Sequence, residues 1–236
     1  MKKLEYAMDK LHISFDRNII ENYRAYMEGI LKWNKVINLT SIVEPEEFIV
    51  KHYIDSLLCV PFEEFQAAKT VVDVGTGGGF PGIPLALAAP EKQFVLIDSL
   101  NKRIKIIKEL CEQIGIRNVT LIHGRAEELA RKKEHREKYD ICVSRAVANL
   151  ATLSEYCLPF IKKNRWFLAY KGPDVVNEVK EAERAIKILG GNLVRKEKTF
   201  LEEFDMNHNI LFIKKTGITP AKYPRKAGTP SKEPLK

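Results

Sequence analysis

Residues Val71 to Leu85 read VVDVGTGGGFPGIPL, and few folds accommodate that string. A β-branched pair, Val71-Val72, runs into Asp73. Four glycines follow within five residues, Gly75, Gly77, Gly78 and Gly79, and another stands at Gly82. Glycines at this density let the backbone take positive φ and approach a ligand with no Cβ in the way. Pro81 and Pro84 suit the first turn of a helix, where a missing N–H costs nothing. Strand, glycine turn and helix together predict a nucleotide-type ligand site, with the orphan N–H groups of the helix aimed at the ligand.

Around this stretch the pattern alternates. Strands are predicted at 70–74, 93–98, 118–122, 139–144 and 166–170. Helices are predicted near 82–89, 100–114, 126–131, 150–162 and 174–189. Such alternation implies an α/β domain with a mostly parallel sheet, right-handed crossovers and helices on both faces. After Gly190-Gly191 two further strand-like runs, 192–200 and 210–214, could pair as an antiparallel edge. Residues 1–69 read as an N-terminal helical cap. Phe15, Ile19, Tyr23, Met27 and Ile30 form one apolar stripe, with Ser14 or Asp16 as its N-cap. Pro45 opens a second helix carrying Phe48, His52, Tyr53 and Leu57, on which His52 reads as a structural histidine. The expected organisation is a cap over 1–69, a catalytic domain over 70–215 and a basic tail over 216–236.

The net charge of +8 is unevenly spread. The last 23 residues, 214–236, hold seven Lys and Arg against a single Glu. A basic tail favours a polyanion such as RNA, and a solvated, disordered end is the plain alternative. The charged run RKKEHREK at 131–138 reads as a solvated loop. Cys59, Cys111, Cys142 and Cys157 are scattered without metal-like spacing, which fits reduced, buried thiols in a cytoplasmic protein. No membrane-spanning run and no signal peptide are expected.

Three ligands compete for the glycines. A P-loop needs Lys followed by Ser or Thr after its last glycine, whereas here Phe80-Pro81 follows. A dinucleotide fingerprint fits Gly77–Gly82 but starts four residues beyond Asp73. An S-adenosylmethionine turn fits Gly75-x-Gly77-x-Gly79, with Asp73 at the end of the first strand on the methionine ammonium side. Asp98 at the end of the second strand would serve the ribose hydroxyls. A sulfonium ligand has no pyrophosphate, so the loop can be bulky at Phe80. The two acids and the GxGxG turn together outweigh the lone dinucleotide match.

VDVGTGGGFPGIPLA, LIDSLNKR, GRAEE, VSRAVA and LAYKG, in this order, resemble the bacterial small-subunit (16S) rRNA guanine-N(7) methyltransferase family, called RsmG or GidB. WNKVINLT, HYIDSL and YPRKAGTPSKEPL resemble its flanking motifs, so the likeness covers nearly the whole chain. Two departures are Asn164-Arg165-Trp166, where the family often has a glycine pair, and Gly78, often alanine. The resemblance implies a Rossmann-like S-adenosylmethionine-dependent methyltransferase fold with an N-terminal helical extension. It places cofactor contacts at Gly75, Phe80, Asp98, Ser99, Ala126, Glu127 and Arg145, with Asp73 and Gly77 beside them. Glu127 would accept from the adenine amino group. Without the resemblance, Glu127 reads equally as a first-turn helix acid, and Arg145 as an ion pair with a sheet-end carboxylate.

The implied substrate is a loop guanine in small-subunit rRNA, or the assembled subunit, met by a monomer with no membrane partner and no metal. Its position-7 nitrogen carries a lone pair and no proton, so direct in-line displacement needs no general base, and catalysis would be positional. The chain agrees in what it lacks. It has no Asp/Asn-Pro-Pro-aromatic motif for an exocyclic amine, and Cys157 before Pro159 is a poor match to a Pro-Cys nucleophile. No catalytic group is assigned, beyond a positioning role for Arg145 on a phosphate or on the cofactor carboxylate. Replacing Arg145 with alanine is expected to lower methylation with the fold intact. Arg103, Lys171, Arg225 and Lys226 are candidate RNA-phosphate contacts. Deleting the tail is expected to weaken RNA binding and flatten its salt dependence. A NAD-dependent oxidoreductase, a non-enzymatic RNA-binding factor and a small-molecule methyltransferase are the alternatives.

Overall fold

The computed structural model describes residues 1–145, 147–204 and 206–235. Two helices open the chain, α1 (Lys2–Lys10) and α2 (Arg17–Asn34). Asp16 is the N-cap of α2: its side chain accepts the Ile19 N–H at 2.8 Å, satisfying one of the donors a helix start leaves open. Tyr23, Met27 and Ile30 of the apolar stripe are buried, while Phe15 and Ile19 pack at its margin. The helix expected from Pro45 forms as α3 (Pro45–Phe48), winds on through a π-helical stretch, Ile49–Ile54, and ends as α4 (Asp55–Leu57). Short π segments often sit at functional positions; this one carries His52 and delivers Asp55. A one-turn helix, α5 (Glu63–Gln66), leads into the sheet.

From there the alternation runs β1 (Thr70–Val74), α6 (Gly82–Ala88), β2 (Gln93–Asp98), α7 (Asn101–Ile114), β3 (Val119–His123), α8 (Ala126–Leu129), β4 (Tyr139–Arg145), α9 (Leu150–Cys157), β5 (Ile161–Lys171), α10 (Val176–Ile188), β6 (Gly191–Leu201) and β7 (Met206–Lys215). The sheet order is β3-β2-β1-β4-β5-β7-β6. β1 to β5 pair in parallel, and β7 runs antiparallel between β5 and β6. One apolar cluster packs the α1, α2, α6 and α7 side of the sheet, so the N-terminal helices share a core with β1 and β2. A second packs α9 and α10 on the other face.

The last strand, expected over 210–214, begins at Met206, and the expected boundaries fail most around Pro159. α9 ends at Cys157 and β5 already begins at Ile161, where a helix to 162 and a strand from 166 were expected. Pro159 cannot continue the helical hydrogen-bond ladder, and Leu158–Phe160 tighten into a 3-10 turn instead. Within β5, Asn164 takes φ of 65°. Asn tolerates that left-handed region better than most other side chains.

The C-terminal residues are folded onto the molecule. They end in α11 (Thr229–Lys232), with Tyr223 and Pro230 buried. The run at 131–138, expected as a solvated loop, holds them there. Arg136 donates to the carbonyls of Thr219 and Tyr223 at 2.8 and 2.9 Å, and Arg131 to that of Pro224 at 2.5 Å. Glu137 accepts the Thr219 N–H at 3.0 Å and the buried Lys215 Nζ at 3.1 Å. Each such bond is worth about 1 kcal/mol net, and several together order a segment whose composition alone favours disorder.

Candidate functional site

The strand order reverses between β1 and β4, and ligands of open α/β sheets bind outside the carboxyl ends at such a point. The glycine loop stands there. Asp73, the penultimate residue of β1, is fully buried under the loop. Its Oδ2 accepts from Thr76 Oγ1 at 2.6 Å and from the Gly82 N–H at 2.9 Å, so it staples the loop to the start of α6. Its Oδ1 finds no hydrogen-bond partner among the described residues, and burial pushes the carboxyl up to about 7, against the pull of Thr76 and Gly82. Asp73 therefore shapes the loop from beneath. Unlike the other expected contacts, it lines neither cavity described below.

The loop needs its glycines for two different reasons. At Gly75, with φ of 76°, a Cβ would stand 2.5 Å from Val147 Cγ2. At Gly77, with φ of 60°, none of the described residues comes within 4 Å of that position, so the loop presents bare backbone there. α2 braces the loop from behind, through a bond from Tyr26 Oη to the Gly78 carbonyl at 2.9 Å. Asp98, closing β2, accepts from the Gly77 N–H at 2.9 Å through Oδ2 and from the Leu100 N–H at 2.8 Å through Oδ1.

Two adjoining cavities open from this loop. The larger, about 630 Å³, is lined by Gly75, Gly77, Phe80, Asp98, Ser99 and Arg145, together with Arg103, Lys171, His52, Asp55 and His208. The smaller, about 230 Å³, is lined by Gly75, Asp98, Ser99, Ala126 and Glu127. Gly75, Asp98 and Ser99 belong to both. The expected contacts other than Asp73 thus fall along one continuous trough, from Glu127 at one end to Arg145 at the other.

Arg145 ends β4 and ties the N-terminal helices to the sheet. Its Nη1 donates to Asp55 Oδ2 and to the Lys51 carbonyl, the latter at 3.0 Å, and its Nη2 donates to His52 Nδ1 at 3.1 Å. Arginine can only donate, so His52 Nδ1 accepts and the imidazole proton sits on Nε2, which meets Thr40 Oγ1 at 2.7 Å. The His52 ring stacks on Phe80 with centroids 4.2 Å apart. Burial first, and then the Arg145 charge, lower the His52 pKa to about 3. On its other side Asp55 meets His208 Nδ1 at 2.5 Å. Burial alone would raise Asp55, but Arg145 and His208 outweigh it and hold the carboxyl below its ordinary value. The bond to Asp55 raises His208 against a smaller opposing effect of burial. His52, expected to be structural, is satisfied as expected but stands in the cavity wall. Asp55 and His208 were missed. Asp55 lay within the HYIDSL motif, whereas His208 sits in a run with no periodic or motif signal.

The four RNA candidates separate. Arg103 lines the larger cavity, its Nη1 3.7 Å from Asp98 Oδ2. Lys171 lines it too, with Nζ held by Glu178 Oε1 at 2.6 Å and the Ala148 carbonyl at 2.8 Å. Lys226 is exposed on the C-terminal segment. Arg225 does not fit the expectation. Its guanidinium makes a two-pronged pair with Glu155, Nη2 to Oε2 at 2.7 Å and Nε to Oε1 at 3.0 Å, and the Glu155 side chain is fully buried. A buried carboxylate demands its partner, which leaves Arg225 a structural cation.

With this geometry in hand, the chain can be set beside known proteins. The model of the family described as "GidB: rRNA small subunit methyltransferase G" matches residues 19–206. This chain belongs to the GidB family. A ribosomal RNA small subunit methyltransferase G from Clostridium novyi is 47% identical over 98% of the chain and 96% of its own length. One from Alkaliphilus oremlandii is 48% identical, covering 99% and 98%. Among solved structures, a ribosomal protein L11 methylase from Lactobacillus delbrueckii subsp. bulgaricus superposes with a TM-score of 0.51 at 16% identity, over 70% of this chain and 78% of that one. The fibrillarin pre-rRNA processing protein of Methanococcus jannaschii gives a TM-score of 0.50 at 16% identity, covering 63% and 67%. At those identities the likeness is one of fold. This GidB-family chain has the Rossmann-like methyltransferase fold, with N-terminal helices added to it.

Proposed function

We propose that this chain transfers the methyl group of S-adenosylmethionine to the position-7 nitrogen of a guanine in small-subunit rRNA. The observation that carries the reading is the trough itself: a bare glycine turn with Asp98 beside it, open towards Glu127 at one end and the Arg145 network at the other. The chemistry of its walls suits the cofactor. Asp98 and Glu127 are carboxylates suited to ribose hydroxyls and an adenine amine. In this reading Gly75, Gly77 and Phe80 form the floor, Asp98 and Ser99 meet the ribose, and Ala126 and Glu127 border the adenine.

When bound, S-adenosylmethionine supplies an electrophilic methyl group. The chain need not remove a proton from the position-7 nitrogen, whose lone pair is already available. His52 supports this economy. Both of its ring nitrogens are engaged and its pKa is near 3, so it is no proton acceptor for a substrate. What the side chains contribute is position and a site that excludes water. Arg145, its charge matched by Asp55, orients a phosphate or the cofactor carboxylate without setting a bare cation against a guanine that becomes positive. Arg103, Lys171 and Lys226 meet RNA phosphates, and the target guanine must come from a loop or be unstacked. The enzyme acts as a monomer in the cytoplasm, where its four free, buried cysteines remain thiols. Thermal shift separates this reading from the dehydrogenase alternative. S-adenosylhomocysteine at about a hundredfold excess over its Kd should stabilise the chain by about 2.7 kcal/mol, and NAD should do nothing. A shift with NAD alone would sink the proposal.

A further inference from the structure

The smaller cavity has a wall that the glycine loop does not explain. Gly228 donates its N–H to Glu127 Oε1 at 2.8 Å. Ser231 lines the cavity together with Ala126, Glu127 and Asp98, and its Oγ donates to the Gly228 carbonyl at 3.1 Å. The C-terminal segment is anchored on both sides of Gly228. Upstream, Arg225 pairs with buried Glu155. Downstream, Thr152 Oγ1 donates to the Pro230 carbonyl at 2.9 Å. Gly228 itself turns at φ of 83° with open space around its missing Cβ, so the turn, not crowding, calls for glycine.

Glu127 is 4% exposed. A carboxylate that dry needs a fixed partner, and among the described residues it accepts a main-chain N–H from about a hundred residues downstream. With Oε1 engaged, Oε2 is the oxygen left for a ligand donor, and its direction is set by where Gly228 stands. We infer that the C-terminal segment forms the adenosine-side wall of the cofactor pocket, holding Glu127 in position to accept from the adenine amino group. The inference rests on the cofactor reading above. It gives the segment a role beside any RNA contact at Lys226, since its Arg225 is already engaged by buried Glu155.

Two variants test it, with calorimetric titration as the readout. One ends the chain at Ala227 and keeps the Tyr223 and Arg225 anchors; the other is Ser231→Trp in the full chain. The probes are S-adenosylhomocysteine and S-inosylhomocysteine, whose base carries an oxygen in place of the amino group. The unaltered chain should bind the adenosine compound roughly tenfold tighter than the inosine compound, the factor expected of one hydrogen bond to a charged group. The shortened chain should lose that preference and bind S-adenosylhomocysteine roughly tenfold more weakly. Ser231→Trp should weaken both compounds alike by filling the cavity, and it decides the matter if the shortened chain does not fold. Unchanged affinity and preference in a folded shortened chain, or unchanged affinity in Ser231→Trp, overturns the inference alone. So does a shortened chain whose only loss is RNA affinity. A full chain that binds neither compound overturns the cofactor reading and this inference with it.

Discussion

At the scale of single residues, Arg145 carries most of the consequence. The expectation of an intact fold in Arg145→Ala has to be revised, because the Asp55 side chain beneath it is only 2% exposed. Removing one partner of a buried pair costs about 3 kcal/mol. Arg145→Ala should therefore lose most methylation and also unfold at clearly lower denaturant; full activity would remove Arg145 from the site. The two histidines flanking this pair respond to pH in opposite senses. His52 is neutral in the fold, with its pKa near 3 against an ordinary 6.5. Its contribution is complete above 6.5 and declines as pH falls towards 3, because the unfolded chain binds the proton first. His208 has a raised pKa, so its contribution is complete below 6.5 and declines as pH climbs through the folded value. His208→Gln should then cost more stability at about pH 6 than at about pH 9, measured by urea unfolding. A cost that grows with pH would contradict the charged pair with Asp55.

At the scale of elements, α2 and the C-terminal segment matter most, and each shows a limit of reading a sequence. The apolar stripe of α2 was legible from its spacing, but the bond from Tyr26 Oη to the Gly78 carbonyl was not. Tyr26→Phe strands that carbonyl in the interior and should destabilise by about 1–3 kcal/mol, weakening S-adenosylhomocysteine binding through the loop. Stability and binding equal to those of the parent chain would deny α2 this bracing role. The run at 131–138 was misread as a solvated loop because composition counts charges and cannot see that Arg131 and Arg136 spend theirs on backbone carbonyls of the C-terminal segment. Arg225→Ala should lower stability by about 3 kcal/mol while leaving the salt dependence of RNA binding unchanged. Arg103→Ala should instead reduce the slope of log affinity against log salt by about 1. The reverse pattern in an RNA-binding titration would return Arg225 to the phosphate side.

At the scale of the whole molecule, the parallel sheet was readable because strand-like and helical periods alternate and each unit is local in sequence. The glycine turn and Asp98 were readable for the same reason, whereas Glu127 and Arg145 entered only through the family resemblance; all four close or follow a strand, and the topology gathers those ends. What joins the trough to the rest of the chain was not readable. Asp55 to Arg145 spans 90 residues and Asp55 to His208 spans 153, and no local pattern announces either pairing. The broken end of α9 at Pro159 is different, a stop that one ring announces locally but that an otherwise continuous apolar pattern hid. The molecule that results is a methyltransferase fold whose N-terminal helices and C-terminal segment both reach the trough and complete its walls. Its proposed chemistry is most directly tested by mass spectrometry of nucleosides from small-subunit rRNA lacking the modification, after incubation with the chain and S-adenosylmethionine. One new 7-methylguanosine is expected; no 7-methylguanosine, or a methyl group on another atom or base, would contradict the proposed chemistry.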